Sequence, residues 1–217
     1  MTLDQIVADY IRVYRGIARS EMQFYEKQRS ASSAIQKAAL CVRPDGKRHA
    51  HQCRTPKAVL HEVGIRLQSV ERGLKSAADF SDLHGLVERE IGGIRGVGAL
   101  TVYDIAQRLG AYFGKSPTLV YLHAGTRDGA AVFGIKGHSF LPVRLPRAFS
   151  RLTAAEIEDC LCIYKRQLLG ARNTPILSTA GQSHTTLASR RLDSGKSRQS
   201  GVSSGCKGSA RRRTIAC

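Results

Sequence analysis

Five glycines stand among residues 91–110, IGGIRGVGALTVYDIAQRLG. A glycine-rich turn before a helix can bring backbone amides close to a phosphate, because no side chain stands in the way. A P-loop needs a Lys-Ser or Lys-Thr pair after its last glycine, and no such pair follows Gly98. The dinucleotide-binding pattern needs a preceding strand and a glycine where Thr101 stands, whereas residues 83–91 have helical spacing. The stretch therefore predicts a glycine turn between two helices.

Residues 83–110 resemble the helix-hairpin-helix motif of many DNA-repair, recombination and replication proteins. The resemblance rests on residues 94–98, IRGVG, which have the pattern apolar-x-Gly-apolar-Gly. It implies that the glycines allow a tight turn and that amides at the start of the second helix contact a phosphate. It also implies that Ile94 and Val97 pack between the helices and that Arg95 adds a charge contact. The resemblance predicts a DNA-backbone site with little sequence preference, formed by Gly93, Arg95, Gly96, Val97, Gly98 and Thr101. Residues 48–164 are also similar to bacterial proteins of no assigned function.

Two further segments offer basic side chains to a polyanion. Lys47 and Arg48 lie in residues 43–54, RPDGKRHAHQCR, where Pro, Asp and Gly indicate a turn. Arg127 follows Gly125 at the expected start of a short helix. Because that segment lacks the apolar-Gly step, we interpret it as a structural turn rather than a second hairpin. We expect phosphate contacts from all three basic side chains.

The charge of the whole chain favours the same kind of partner. It has 34 Lys and Arg against 17 Asp and Glu, a net charge of +17. Residues 173–217 hold eight basic residues and one acid, so residues 1–172 retain 26 basic residues against 16 acids. A polyanion would relieve the self-repulsion of so basic a domain and would release counterions on binding. We expect DNA, duplex or branched, as the partner, with RNA or a structural protein partner as open alternatives.

One cluster of residues has metal-binding types. Cys and His are the ligands that zinc prefers, and four of them would close a tetrahedral site. The spacing, one Cys followed by His-x-His-x-Cys, differs from the usual zinc patterns, so we expect no metal and no other cofactor. The candidates for such a site are Cys41, His49, His51 and Cys53.

Enzymatic activity is the alternative to simple binding. Helix-hairpin-helix glycosylases use an Asp near the hairpin and, in some, a Lys inside it. Here Lys115 and Asp128 lie well beyond Gly98, and that departure argues against glycosylase chemistry. Asp104 has the spacing of an ion-pair partner for Arg108, which favours a structural role over a catalytic one. His123 and Asp128 flank the Gly125 turn, where a capping or structural role is expected. A glycosylase-like or nuclease-like enzyme with an unidentified active site therefore stays open.

Apolar residues recur at helical spacing through most of the first 172 residues, and no segment shows convincing strand alternation. Thr2 with Gln5 and Thr153 with Glu156 have capping-box spacing. We therefore expect an all-α fold containing the helix-hairpin-helix. The predicted helices are residues 3–28, a helix starting at Pro56, one capped by Ser81, one after Gly98, one capped by Ser116, a short one after Gly125, and a last one ended by Gly170.

Composition divides the chain into three predicted regions. These are an N-terminal helix and basic loop (1–55), a helical domain with the hairpin (56–172) and a basic tail (173–217). The tail is rich in Ser, Gly and Arg, so it is expected to be disordered. With no long apolar run and no leader-like N-terminus, we expect a cytoplasmic protein that associates with the bacterial nucleoid if it binds DNA, and no membrane partner. The oligomeric state stays open.

Overall fold

A computed structural model of the chain describes residues 1–49 and 52–172. The predicted disorder of residues 173–217 and the metal candidate His51 lie outside them. The described residues are mostly helical, as expected, with one small sheet. The α-helices are α1 (Leu3–Val13), α2 (Arg15–Glu26), α3 (Ala31–Ala39), α4 (Lys57–Ser69), α5 (Glu71–Ser76), α6 (Phe80–Ile91), α7 (Ala99–Phe113), α8 (Ala124–Ala131), α9 (Ala154–Ile163) and α10 (Lys165–Arg172).

The sheet consists of two strands of two residues each. Strand β1 (Val120–Tyr121) pairs antiparallel with β2 (Ser139–Phe140). The prediction of a helix capped by Ser116 is wrong, because β1 occupies that segment. The apolar side chain of Val120 enters the core while Tyr121 packs on Phe80, an alternation too short to recognise in the sequence. After β2, residues Pro142–Arg144 and Arg147–Arg151 form short 3-10 helices.

Two apolar clusters form the core of the described part of the chain. The first joins α1 to β1, β2 and the helices that follow them, and its largest members include Tyr10 and Phe149. The second joins α3, α4, α6 and α7, with Tyr25 of α2. Both clusters include residues from either side of residue 55, so α1 to α3 share their cores with the helices that follow.

The helix boundaries follow local signals in part. Both predicted capping boxes are confirmed: Thr2 accepts from the Gln5 amide, and Thr153 from the Glu156 amide. The predicted helix over residues 3–28 is interrupted at Tyr14, where α1 ends and α2 begins. This break lets α1 pack on α10 while α2 packs on α7.

Three other boundaries differ from the predictions. The cap of α6 is Asp79, whose side chain accepts from the Asp82 amide, and not Ser81. Helix α3 was not predicted; Ser30 caps it and its small residues pack on α4 and α7. Gly170 lies inside α10 and does not end a helix, because nothing in its backbone conformation requires a stop there.

Candidate nucleic-acid interface

The glycine turn joins α6 to α7, two helices that pack directly on each other. The amide of Gly92 donates to the Glu88 carbonyl at 2.8 Å and ends α6. Within the turn, the Ile94 amide donates to Ile91 at 3.0 Å and the Val97 amide to Ile94 at 2.9 Å. Gly96 has φ +95°, a conformation that only glycine adopts readily. The turn is therefore tight and internally hydrogen-bonded.

The start of α7 is open. Gly98 is its N-cap, with φ −104° and ψ 172°, and it supplies no side chain to cap the helix. The first amides of a helix lack a carbonyl partner within that helix, and here they belong to Ala99, Leu100 and Thr101. A Cβ placed on Gly98 would meet nothing within 4 Å. The helix dipole adds partial positive charge at this end, so the open amides can accept an anion.

Of the other residues predicted for the hairpin, Gly93, Ile94, Arg95 and Val97 lie in this turn, whereas Thr101 lies in the first turn of α7. The Ile94 side chain is buried and that of Val97 half-buried, both against the second core. Arg95 and Gly93 are exposed. The side chain of Thr101 is almost fully buried, so its backbone amide is the group that faces the helix start.

The basic loop before α4 is anchored to α7. The Gln52 amide group donates to Asp104 Oδ2 at 2.8 Å, and its carbonyl oxygen accepts from Arg108 at 3.0 Å. Within this loop Lys47 is exposed. Arg48, by contrast, is occupied: its guanidinium donates to the carbonyls of Thr55 at 2.9 Å and Cys53 at 3.2 Å. The Arg48 side chain therefore stabilises the conformation of the loop through these hydrogen bonds.

Arg127 lies inside α8, exposed, and donates to the Leu122 carbonyl at 3.3 Å. The segment around it is not a turn. Gly125 and Gly129 are buried in α8, where Cβ atoms would collide with Cys162 Sγ and the Leu161 carbonyl of α9. These glycines allow the two helices to pack closely. The structure therefore places Arg127 on a packed helix and not in a second hairpin.

The metal candidates do not form a ligand set in the described part of the chain. Cys41 is buried with φ 56°, and His49 is buried with its Nε2 3.4 Å from the Tyr25 hydroxyl. The exposed Cys53 directs its thiol to the His49 carbonyl at 3.3 Å. Among residues 1–49 and 52–172 no three potential ligands are grouped to hold a metal ion.

A polar cavity of about 60 Å³ lies beside α7, between α2 and α9. Leu100, in the first turn of α7, contributes to its wall. Its charged lining consists of Glu21, Asp104, Arg108, Glu158 and Asp159, together with His49. The predicted Asp104–Arg108 pair is present at 3.7 Å, but the Arg108 side chain is buried rather than on the surface.

Two acids of α9 stand out in this cavity. Glu158 Oε1 is 2.5 Å from His123 Nε2 and accepts from the Thr126 hydroxyl at 2.5 Å. Asp159 accepts from the Tyr10 hydroxyl at 3.1 Å. Burial, and then the charge of Glu158, raise the pKa of Asp159 well above its usual value. The two residues that flank Gly125 in the sequence thus have different partners: His123 pairs with Glu158, and Asp128 pairs with Lys165 at 3.6 Å.

The sequence pattern did not reveal this cavity. Two of its acids accept hydrogen bonds from residues far away in the chain: Glu158 from Thr126, 32 positions away, and Asp159 from Tyr10, 149 positions away. The one available signal was the Asp104–Arg108 spacing, which indicates an ion pair on any helix and not a buried one.

Comparison with known proteins adds no relative: no protein-family model, no curated protein and no solved structure matches the chain. Among the helices of the described residues, none has the length and apolarity needed to cross a membrane.

Proposed function

We propose that this protein binds the sugar-phosphate backbone of DNA through the α6–α7 hairpin, with little sequence preference. The observation that carries the proposal is the start of α7. Gly98 has extended backbone that any residue adopts and open space around its Cβ position, so neither conformation nor packing requires a glycine there. A phosphate oxygen approaching the amides of the first turn does require one.

Charge supports the same partner. The exposed guanidinium of Arg95 lies in the turn, and exposed Lys47 lies in the loop that Gln52 anchors to α7. A contact to the backbone positions a protein on DNA without reading its bases, which gives binding of many sequences. Each phosphate neutralised releases counterions, so the affinity falls steeply with salt.

The experiment is a salt-titrated binding assay with duplex, single-stranded and branched DNA and with RNA. Replacement Gly98→Val puts a branched side chain over the open amides. We expect duplex affinity to fall by about tenfold to a hundredfold, since a hydrogen bond to a charged group contributes about 1.5–3 kcal/mol. Gly16→Val is the matched control, because Gly16 of α2 also has open space at its Cβ position and lies outside the hairpin. Unchanged binding by folded Gly98→Val protein would refute the proposal.

Arg95 provides a second, electrostatic readout. We expect Arg95→Ala to weaken binding to all DNA sequences alike and to lower the slope of log affinity against log salt by about one. Arg72→Ala, an exposed arginine of α5, is the control that removes the same net charge. Equal slopes for the two variants would assign the effect to net charge alone.

A nucleic-acid-processing enzyme is the second candidate, and the polar cavity beside α7 favours it. A carboxyl group whose pKa is raised, as in Asp159, keeps its proton at higher pH and can donate it as a general acid. Turnover of nicked, damaged or branched DNA that is lost in Asp159→Asn and retained in Asp128→Asn would establish this function. Asp128 is the control because it is exposed and pairs with Lys165.

A further inference from the structure

The segment that follows β2 carries two exposed apolar side chains at its tip. Leu141 is 55% exposed and Val143 is 84% exposed, on either side of Pro142. The chain returns to the core on both sides of this segment, since Phe140 and Leu145 are both buried in the first core. The tip therefore projects from a base that is fixed on both sides.

The backbone of the tip is held in place. Phe140 pairs with Val120 in the sheet, the Arg144 amide donates to Leu141 at 3.0 Å, and the Leu145 amide donates to Pro142 at 3.0 Å. Pro142 fixes one backbone torsion at the centre of the tip. Within the described part of the chain, no other segment covers the apolar side chains of this short, rigid tip, so they stay exposed to water.

The chain segment that carries the tip is basic. Residues 129–155 contain no Asp or Glu, but they contain Lys136, His138, Arg144, Arg147 and Arg151. All five of these side chains are exposed. This positive charge favours a polyanion as the partner of the tip. Two apolar side chains on a rigid tip match the gap between two stacked base pairs better than they match the broad surface of a protein interface.

We propose that Leu141 and Val143 form a wedge that enters a duplex between base pairs at a distorted site, such as a mismatch. This inference rests on the proposed binding of DNA and adds a preference for weakly stacked sites, where inserting a side chain displaces the least stacking. The hairpin then supplies contacts to the backbone on any DNA, and the wedge distinguishes distorted from regular duplex.

The test uses two duplexes that carry the fluorescent base 2-aminopurine, one fully paired and one with a mismatch beside the probe. We expect the full chain to bind the mismatched duplex more tightly and to raise its fluorescence as the probe unstacks. In Leu141→Ser/Val143→Ser protein the fluorescence change disappears, and affinity for the mismatched duplex falls about fivefold to the level of the paired one. Ile65→Ser is the control, since Ile65 of α4 is 72% exposed and lies elsewhere in the chain.

Each outcome has one meaning. If the double variant keeps both the fluorescence change and the mismatch preference, the wedge is refuted while the hairpin proposal stands. If the parent chain binds no DNA, both proposals fail. Sedimentation with anionic vesicles covers the other polyanionic surface: a loss of vesicle binding in the double variant, with DNA binding unchanged, would assign the tip to lipid and overturn the wedge.

Discussion

The glycines of the α6–α7 turn and those of α8 differ in what surrounds them. In α8, Cβ atoms at Gly125 and Gly129 would collide with α9, so packing requires glycine at both positions. In the turn, a Cβ at Gly93, Gly96 or Gly98 would meet nothing within 4 Å. Of these three, Gly96 alone has a backbone conformation that requires glycine.

The difference separates three reasons for a glycine. At Gly129 the reason is a neighbouring helix, and at Gly96 it is a backbone torsion. At Gly98 the fold provides neither reason, and the proposed phosphate contact would account for the glycine there. Stability should therefore respond to substitution in α8 and at Gly96, whereas binding should respond at Gly98.

The largest expected effect is in α8. Gly129→Ala places a methyl group against the Leu161 carbonyl, and a backbone group cannot move aside as a side chain does. We expect a loss of about 3 kcal/mol in the free energy of unfolding, measured by urea denaturation. Gly16→Ala is the control with open space, where the better helix propensity of Ala should stabilise the protein by about 0.5–1 kcal/mol. Equal effects on stability at the two sites would show that the contact with α9 does not require glycine at position 129.

The start of α8 allows a second test. The buried ion pair of His123 and Glu158 lies there, whereas the start of α7 is open. Burial alone would lower the pKa of His123, but the hydrogen bond and charge of Glu158 outweigh burial and raise it. A raised pKa means that this stabilisation is complete below the unfolded value of about 6.5 and is lost as pH rises through the folded value.

We therefore expect His123→Gln to cost about 2 kcal/mol of unfolding free energy near pH 6 and less as the pH rises. Urea titrations of both proteins from pH 5 to 9 measure the difference, and subtraction removes the groups that both share. A difference that stays constant over this range would show that folding leaves the pKa of His123 unchanged.

Gly96 gives the next smaller effect. With φ +95°, Gly96→Ala forces a side chain into the left-handed region, which costs about 1–2 kcal/mol. Gly93→Ala is the control within the same turn, since it has open space and no such torsion. Thermal unfolding distinguishes the two, and a Gly96→Ala protein as stable as Gly93→Ala would refute the assigned strain.

The sequence predicted the parts of the fold that depend on local patterns. The two capping boxes are confirmed because both partners lie three residues apart, and the helix after Gly98 follows its apolar spacing. The break at Tyr14 and the strand β1 were missed because packing against distant segments decides them. The role of Gly125 was misjudged for the same reason: nothing near it in sequence indicates the approach of α9.

The candidate site divides in the same way. Residues 93–98 are adjacent in the chain, so their grouping was evident before the fold was known, and the contact to DNA remains a prediction. The cavity beside α7 unites Asp104 with Asp159 and Glu158 from α9, which no spacing rule connects. That Arg48 is hydrogen-bonded within its own loop likewise depends on how the loop folds.

The smallest change in stability comes from closing the start of α7. The backbone of Gly98 already has the extended conformation of an N-cap, so Gly98→Asp adds a carboxylate that can accept from the first-turn amides. We expect a gain of a few tenths of a kcal/mol in unfolding free energy, since Asp caps slightly better than Gly. DNA affinity should nevertheless fall more than tenfold, because the carboxylate occupies and repels the phosphate position. Thr153→Gly is the converse change, which opens the capped start of α9 and should lower stability slightly while leaving DNA binding unchanged. Stability and binding that fall together in Gly98→Asp protein would mean that the glycine serves the fold after all, and the hairpin would lose its assigned ligand.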